Sequence, residues 1–223
     1  MLRVKTGIPG LDSLIEGGFV QNAVYLLTGE TGSGKTIFCC QYVWAGLEKG
    51  ETAVYISMEE DPKEIKDDVA MFGWDFAKYE KKGLLRILYH DPAQVDKLSS
   101  LIQSEVMGLK ANRLVLDSTA AMSLALENHS LIRRKVAGIV STMKRHTQCT
   151  SLVVTEIPEG SKALSRFGVE EFVVDGIIVL NYLGAETQSR AITIRKMRRT
   201  RHGRDVYPME ITSKGIVVKK GEL

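Results

Sequence analysis

Cysteine is scarce in this chain. There are three in 223 residues, and two of them, Cys39 and Cys40, are adjacent. An odd count with this spacing makes neither a disulfide framework nor a zinc pattern. It points to a reducing compartment, the cytoplasm. Cys39 and Cys40 lie among Ile37, Phe38 and Val43 and read as core thiols. Proline is also rare, with five residues, and no Pro/Ser-rich linker, low-complexity segment or internal repeat divides the chain. His90, His129 and His146 lack metal-ligand spacing. No apolar run reaches the roughly 18 residues that would suggest a membrane span. The start, Met1-Leu2-Arg3-Val4-Lys5, lacks the apolar stretch of a secretory signal. The formal charge is only +3, from 30 Lys+Arg and 27 Asp+Glu, too small by itself to argue for nucleic acid. What the chain does have is core material. Hydrophobic residues make up 44%, which excludes disorder for most of the length. Residues 1–223 read as a single domain.

Apolar runs rich in β-formers alternate with helical patterns through the first two-thirds. Val24 to Thr28, Ala53 to Ser57, Leu84 to Leu88, Arg113 to Asp117 and Ser151 to Thr155 read as strands. Lys35 to Leu47, Gln94 to Gly108 and Leu131 to His146 read as helices. Asp61-Pro62-Lys63-Glu64 is a helix start, with an acid cap, proline in the first turn and glutamate three residues after the cap. The last third reads as four strands without intervening helices: Phe172 to Leu180, Ala191 to Lys196, Val206 to Thr212 and Gly215 to Val218. The expectation is an α/β fold, with a mostly parallel central sheet and a strand-rich C-terminal extension.

Gly29-Glu30-Thr31-Gly32-Ser33-Gly34-Lys35-Thr36 matches the phosphate-loop pattern G-x-x-x-x-G-K-[ST] at every fixed position, between a buried strand and a helix. Glycines let successive amides turn toward a phosphate, and the helix N-terminus adds partial positive charge. Lys35 is expected at the β- and γ-phosphates of a bound nucleotide, and Thr36 at Mg²⁺. Asp117 ends a buried strand and is the candidate second ligand of Mg²⁺. Glu59 and Glu60 follow another strand, at the edge where parallel sheets bind ligands. One of the two is the expected base for an attacking water, and the residues alone do not choose between them.

The charge is unevenly distributed. Arg190, Arg195, Lys196, Arg198, Arg199, Arg201 and Arg204 fall in fifteen residues without an acid, and outside them 23 basic residues face 27 acidic ones, a net of −4. A solvated strand edge, a nucleic-acid surface and cationic fingers for a neighbouring subunit's γ-phosphate are competing readings. The segment holds no aromatic residue on which a base could stack.

Four blocks resemble the KaiC-like ATPases of the RecA/RadA superfamily. They are Thr6-Gly7-Ile8-Pro9-Gly10-Leu11-Asp12 with Gly17-Gly18-Phe19; the phosphate loop with Ser57-Met58-Glu59-Glu60; Phe167 through Asp175; and Ile194-Arg195-Lys196-Met197-Arg198 with His202 and Tyr207-Pro208. The resemblance implies a RecA-like P-loop NTPase core that hydrolyses ATP to ADP at the interfaces of a hexameric homo-oligomeric ring. It also implies a regulatory or signalling role and a protein partner of unknown identity. By the same resemblance, Lys196, Met197, Arg198, Thr200 and His202 would reach the nucleotide of the adjacent subunit. Thr212 and Ser213 would make further nucleotide contacts. Glu171 and Phe172 stand where one copy of the duplicated family member carries a phosphorylated Ser-Thr pair, so an autophosphorylation cycle is not expected. The alternative is a RecA/RadA-like recombinase or helicase paralogue, with Lys162, Arg166 and Phe167 of the 158–167 loop facing DNA in a ring pore.

Overall fold

The computed structural model describes residues 1–145, 149–182, 190–219 and 221. A short hairpin of β1 (Arg3–Val4) and β2 (Phe19–Val20) encloses α1 (Leu11–Leu14). The main body follows as β3 (Val24–Gly29), α2 (Lys35–Leu47), β4 (Ala53–Ser57), α3 (Pro62–Ala70), α4 (Phe76–Lys81), β5 (Leu85–Tyr89), α5 (Val95–Leu109), β6 (Arg113–Asp117), α6 (His129–Lys144) and β7 (Thr150–Glu156). It ends with α7 (Glu170–Val173), β8 (Gly176–Tyr182), β9 (Arg190–Met197), β10 (Val206–Thr212) and β11 (Gly215–Val218). Short 3₁₀ turns lie at Pro92–Gln94 and Thr119–Leu124.

Among the described residues nine strands form one sheet in the order β11-β10-β9-β8-β3-β7-β6-β4-β5. From β8 to β5 every neighbour is parallel, and β9, β10 and β11 add antiparallel strands at one edge. This is the expected mostly parallel α/β sheet with a strand-rich extension. Successive strand residues feed opposite faces. Tyr25, Leu27 and Tyr55 join the core under α2, whereas Val24, Leu26, Val54 and Ile56 join the core under α5 and α6. Burial on both faces explains why these strands read as unbroken apolar runs. Cys39 and Cys40 are fully buried in the first core, and burial pushes both thiols well above their ordinary range.

Two expectations need correction. The run from Phe172 is not one strand: Glu170–Val173 forms a helical turn and the strand begins at Gly176. Asp175 marks the break. Its carboxylate accepts from the Val24 amide at 3.1 Å, pairs with Lys144 at 3.2 Å and stands 3.7 Å from Arg198. Second, α6 starts two residues earlier than expected because Asn128 caps it, accepting from the Leu131 amide at 3.0 Å. The expected end of that helix, His146, lies outside the described residues. Among the described residues no helix is long and apolar enough to cross a membrane.

Candidate nucleotide site

The C-terminal ends of the parallel strands carry the chemistry. Sheet register aligns Gly29 with Glu156 and Ser57 with Asp117. These four positions and the following Glu59 and Glu60 therefore lie along one edge. The cleft there has a volume of about 490 Å³, and its lining includes Thr31, Lys35, Thr36, Glu60, Asp117 and Glu156.

Gly32 and Gly34 hold φ of +75° and +98°, values that a side chain would strain. Gly34 caps α2, and among the described residues no side-chain cap bonds the helix's first amides. Those amides and the helix dipole suit an anion. Among the described residues the buried Ser33 hydroxyl has no hydrogen-bond partner. Lys35 is 7% exposed. Its Nζ donates to the carbonyls of Gly29 at 3.2 Å and Glu30 at 2.9 Å, and pairs with Glu156 Oε1 at 3.0 Å.

Thr36 Oγ1 donates to Asp117 Oδ2 at 3.3 Å, and Tyr55 donates to the same oxygen at 2.7 Å. Burial pushes the Asp117 carboxyl up to about 6, opposed by the Tyr55 bond. Among the described residues no three His, Cys, Asp or Glu side chains are grouped to hold a metal. One hydroxyl and one carboxylate nevertheless suit Mg²⁺, which keeps several waters and takes phosphate oxygens as its other ligands.

The two adjacent glutamates differ. Glu59 is exposed and accepts from the Ser118 hydroxyl. Glu60 is half-buried, and its Oε2 is enclosed with no hydrogen-bond partner among the described residues. Burial, then the charges of Asp117, Asp68, Glu59 and Glu64, raise its carboxyl to about 7. An unpaired carboxylate poised near neutrality, facing the cleft, has the properties of a general base.

The basic segment splits in two. Arg190 lines the same cleft, donating through Nε to the Gly32 carbonyl at 3.2 Å and lying over the Tyr182 ring at 5.4 Å. β9 then runs antiparallel to β8, from Arg190 beside Tyr182 to Met197 beside Gly176. At roughly 3.4 Å per residue its far end lies about 24 Å from the cleft. Lys196, Met197, Arg198, Thr200 and His202 are at that far end. Lys196 Nζ donates to the carbonyls of Glu171 at 2.8 Å and Val174 at 2.9 Å, and burial lowers its pKa. Met197 is buried in the core, so only its backbone is available to a ligand. Arg198 is half-exposed beside Asp175. Thr200 accepts from Arg3 at 2.7 Å, and His202 Nδ1 lies 2.8 Å from the Gly203 carbonyl. Thr212 and Ser213 sit in the β10–β11 turn, back at the phosphate-loop end. There Thr212 donates to Gly215 at 2.8 Å, and the preceding Ile211 lines the cleft.

Sequence reasoning missed Glu156, Tyr55 and the local placement of Arg190. Glu156 stands one residue past the expected strand end, and only the pairing of β7 with β3 brings it to Lys35. Phe167, offered as a DNA-facing aromatic, is buried and packs edge-on to His129.

Comparison with known proteins agrees with this architecture. The family model described as "ATPase: KaiC" matches residues 4–222. A UPF0273 protein of Pyrococcus furiosus is 33% identical over 97% of this chain and 93% of its own length. The circadian clock oscillator protein KaiC of Synechococcus elongatus is 33% identical over 96% of this chain, which spans 43% of that longer protein. A solved KaiC-like protein from Pyrococcus horikoshii superposes with a TM-score of 0.90 at 41% identity, covering 98% of this chain and 99% of that one. With its phosphate loop and RecA-like sheet, the chain belongs to the KaiC family of ATPases.

Proposed function

We propose that residues 1–223 act as one unit that binds ATP with Mg²⁺ and hydrolyses it to ADP at the interfaces of a homo-oligomeric, hexameric ring. The observation that carries this reading is the separation along β9. The phosphate loop, Asp117 and Glu60 share one edge of the sheet, and Lys196 and Arg198 flank the end of β9 about 24 Å away at the other. One subunit cannot bring both groups to one nucleotide, whereas head-to-tail packing can, and such heterologous contacts close into rings.

In this reading the loop amides and Lys35 hold the phosphates, with Arg190 beside them. Thr36 and Asp117 would hold Mg²⁺, which would neutralise charge on the β- and γ-phosphates. Glu60 takes the proton of the attacking water, and Glu59 is kept in place by Ser118. Lys196, Arg198, Thr200 and His202 of the next subunit approach the γ-phosphate, while Thr212 and Ser213 stay on the nucleotide's own subunit. The energy of hydrolysis drives ring rearrangement or regulates a bound protein in the cytoplasm.

The test is ATP turnover measured together with mass in solution, with and without ATP and Mg²⁺. Turnover confined to the assembled form supports the reading. A strict monomer that hydrolyses ATP at full rate overturns the shared site. Binding without turnover would make the protein an ATP-responsive signalling module. The DNA-dependent alternative has no exposed aromatic in the 158–167 loop to support it. Steep salt-sensitive stimulation of turnover by DNA would be needed to restore it.

A further inference from the structure

Glu170 is a carboxylate at 0% exposure, and among the described residues no Lys or Arg pairs with it. Its contacts are three long hydrogen bonds. Oε1 faces the Thr155 hydroxyl at 3.4 Å and the Thr119 hydroxyl at 3.5 Å, and Oε2 accepts from the Val169 amide at 3.2 Å. Enclosing a carboxylate with so little compensation is costly. A core position needing only volume would be better filled by an apolar side chain.

The placement of its two oxygens is informative. Thr155 precedes Glu156, the partner of Lys35. Thr119 follows Ser118, which donates to Glu59. Oε1 therefore joins two hydroxyls, one beside the cleft residue Glu156 and the other beside Ser118, which bonds the cleft residue Glu59. Oε2 is tied to the start of α7, and two carbonyls of the same turn, Glu171 within it and Val174 just past its end, hold Lys196 Nζ. One buried side chain thus stands between the nucleotide site a subunit owns and the lysine it would offer to its neighbour. The link can also take two arrangements. Thr119 has a single hydroxyl proton, and it can go to Glu170 or to the Val154 carbonyl, 3.2 Å away.

We propose that Glu170 is a positioning residue that couples occupancy of a subunit's own nucleotide site to the placement of Lys196 in the next. This rests on the shared-site reading above. Phosphates entering the cleft draw Lys35 from Glu156, the movement passes through Thr155 and Thr119 to Glu170, and α7 shifts with it. Lys196 exchanges its two carbonyl acceptors for the neighbour's phosphate. Coupling through packed groups with two discrete arrangements is the physical basis.

The test uses mixed assemblies of full-length chains. Glu60→Gln subunits bind ATP but lack the base, so they serve as donors of Lys196 and Arg198. Arg198→Ala subunits keep an intact cleft and serve as acceptors. Their mixture is expected to regain turnover. Adding Glu170→Gln to the donors should cut the regained rate about three- to tenfold even at ATP concentrations that saturate the donors. Adding it to the acceptors instead should leave the rate as it was. Equal losses from the two placements would mean a general structural defect, and no loss from either would mean no coupling; each overturns the proposal. Should Glu170→Gln fail to fold, Thr155→Val in the donors removes the hydroxyl on Oε1 and should reproduce the loss, and an undiminished rate overturns the proposal. A starting mixture that assembles yet regains nothing defeats the shared site itself. That failure is distinct from a recovery that ignores Glu170.

Discussion

Lys35 Nζ lies 3.0 Å from Glu156 Oε1, so the lysine of the phosphate loop is already paired before any nucleotide arrives. A phosphate must compete with that carboxylate. Glu156→Gln removes the competing charge and keeps the shape. ATP is therefore expected to bind roughly three- to tenfold more tightly, about the worth of one hydrogen bond to a charged group after discounting solvent. Titration calorimetry without Mg²⁺ isolates the effect. Unchanged or weaker binding would show that Glu156 does not restrain Lys35.

Tyr55 has a comparable relation to Asp117. Its hydroxyl donates at 2.7 Å to a buried carboxylate oxygen whose only other hydrogen-bond donor among the described residues is Thr36. Tyr55→Phe leaves that carboxylate short of a donor. The nucleotide-free protein should lose about 1–3 kcal/mol of stability. Urea melts measure the loss, and Mg²⁺ with ATP should restore part of it, because charge then replaces the missing proton donor. A melt identical to the parent protein's would refute the assignment.

The two glutamates should separate kinetically. Glu60→Gln is expected to lower kcat by about 10²–10⁴, the usual contribution of a general base, with ATP binding retained. Glu59→Gln, which alters an exposed side chain bonded to Ser118, should cost much less. Equal losses would mean that the pair acts jointly.

Glu60 also sets a pH dependence in the nucleotide-free protein. Its carboxyl rises from the ordinary 4.5 to about 7 on folding, and Asp117 from 3.8 to about 6. Between those values the folded chain holds protons that the unfolded chain releases. Their contribution to stability is full at acid pH and is lost progressively as pH rises from the ordinary values of 3.8 and 4.5 to the raised ones of about 6 and about 7. The melting temperature should therefore fall over that interval, and by less in Glu60→Gln. A melting temperature that climbs steadily from pH 5 to pH 7 would contradict the raised carboxyls.

The parts of the fold legible in sequence were those governed by local chemistry. Lys35–Leu47, Ala53–Ser57, Arg113–Asp117 and Val206–Thr212 have the expected boundaries, because loop glycines, alternating periods and a terminal acid mark them within a few residues. The Asp61–Glu64 capping box formed as read. Phe172 misled because an apolar run fits a strand or a buried helical turn equally well; here it sits on a turn and is 70% exposed. The hairpin of β1 and β2 has two residues per strand, too few for any period to register. Glu156 was illegible for another reason. Its meeting with Lys35 depends on which strands are neighbours, a non-local fact that no window of sequence contains.

Arg190 shows how that non-local geometry divides one basic run into two roles. In sequence the seven cations form one run open to three readings, yet an antiparallel β9 puts Arg190 at the chain's own phosphate loop and Arg198 at the far end. Arg190→Ala should therefore weaken ATP binding to the subunit that carries it, by about ten- to a hundredfold if its guanidinium makes one charge-assisted bond to phosphate. At saturating ATP the same subunit should still donate Lys196 and Arg198, so mixing it with Arg198→Ala subunits should restore turnover in their clefts. Arg198→Ala should behave in the opposite way, binding ATP normally and failing as a donor. Measuring both affinity and donor competence for each variant separates the two roles. If Arg190→Ala bound ATP normally but failed as a donor, Arg190 would belong to the neighbour's site, and the division of labour along β9 would have to be abandoned.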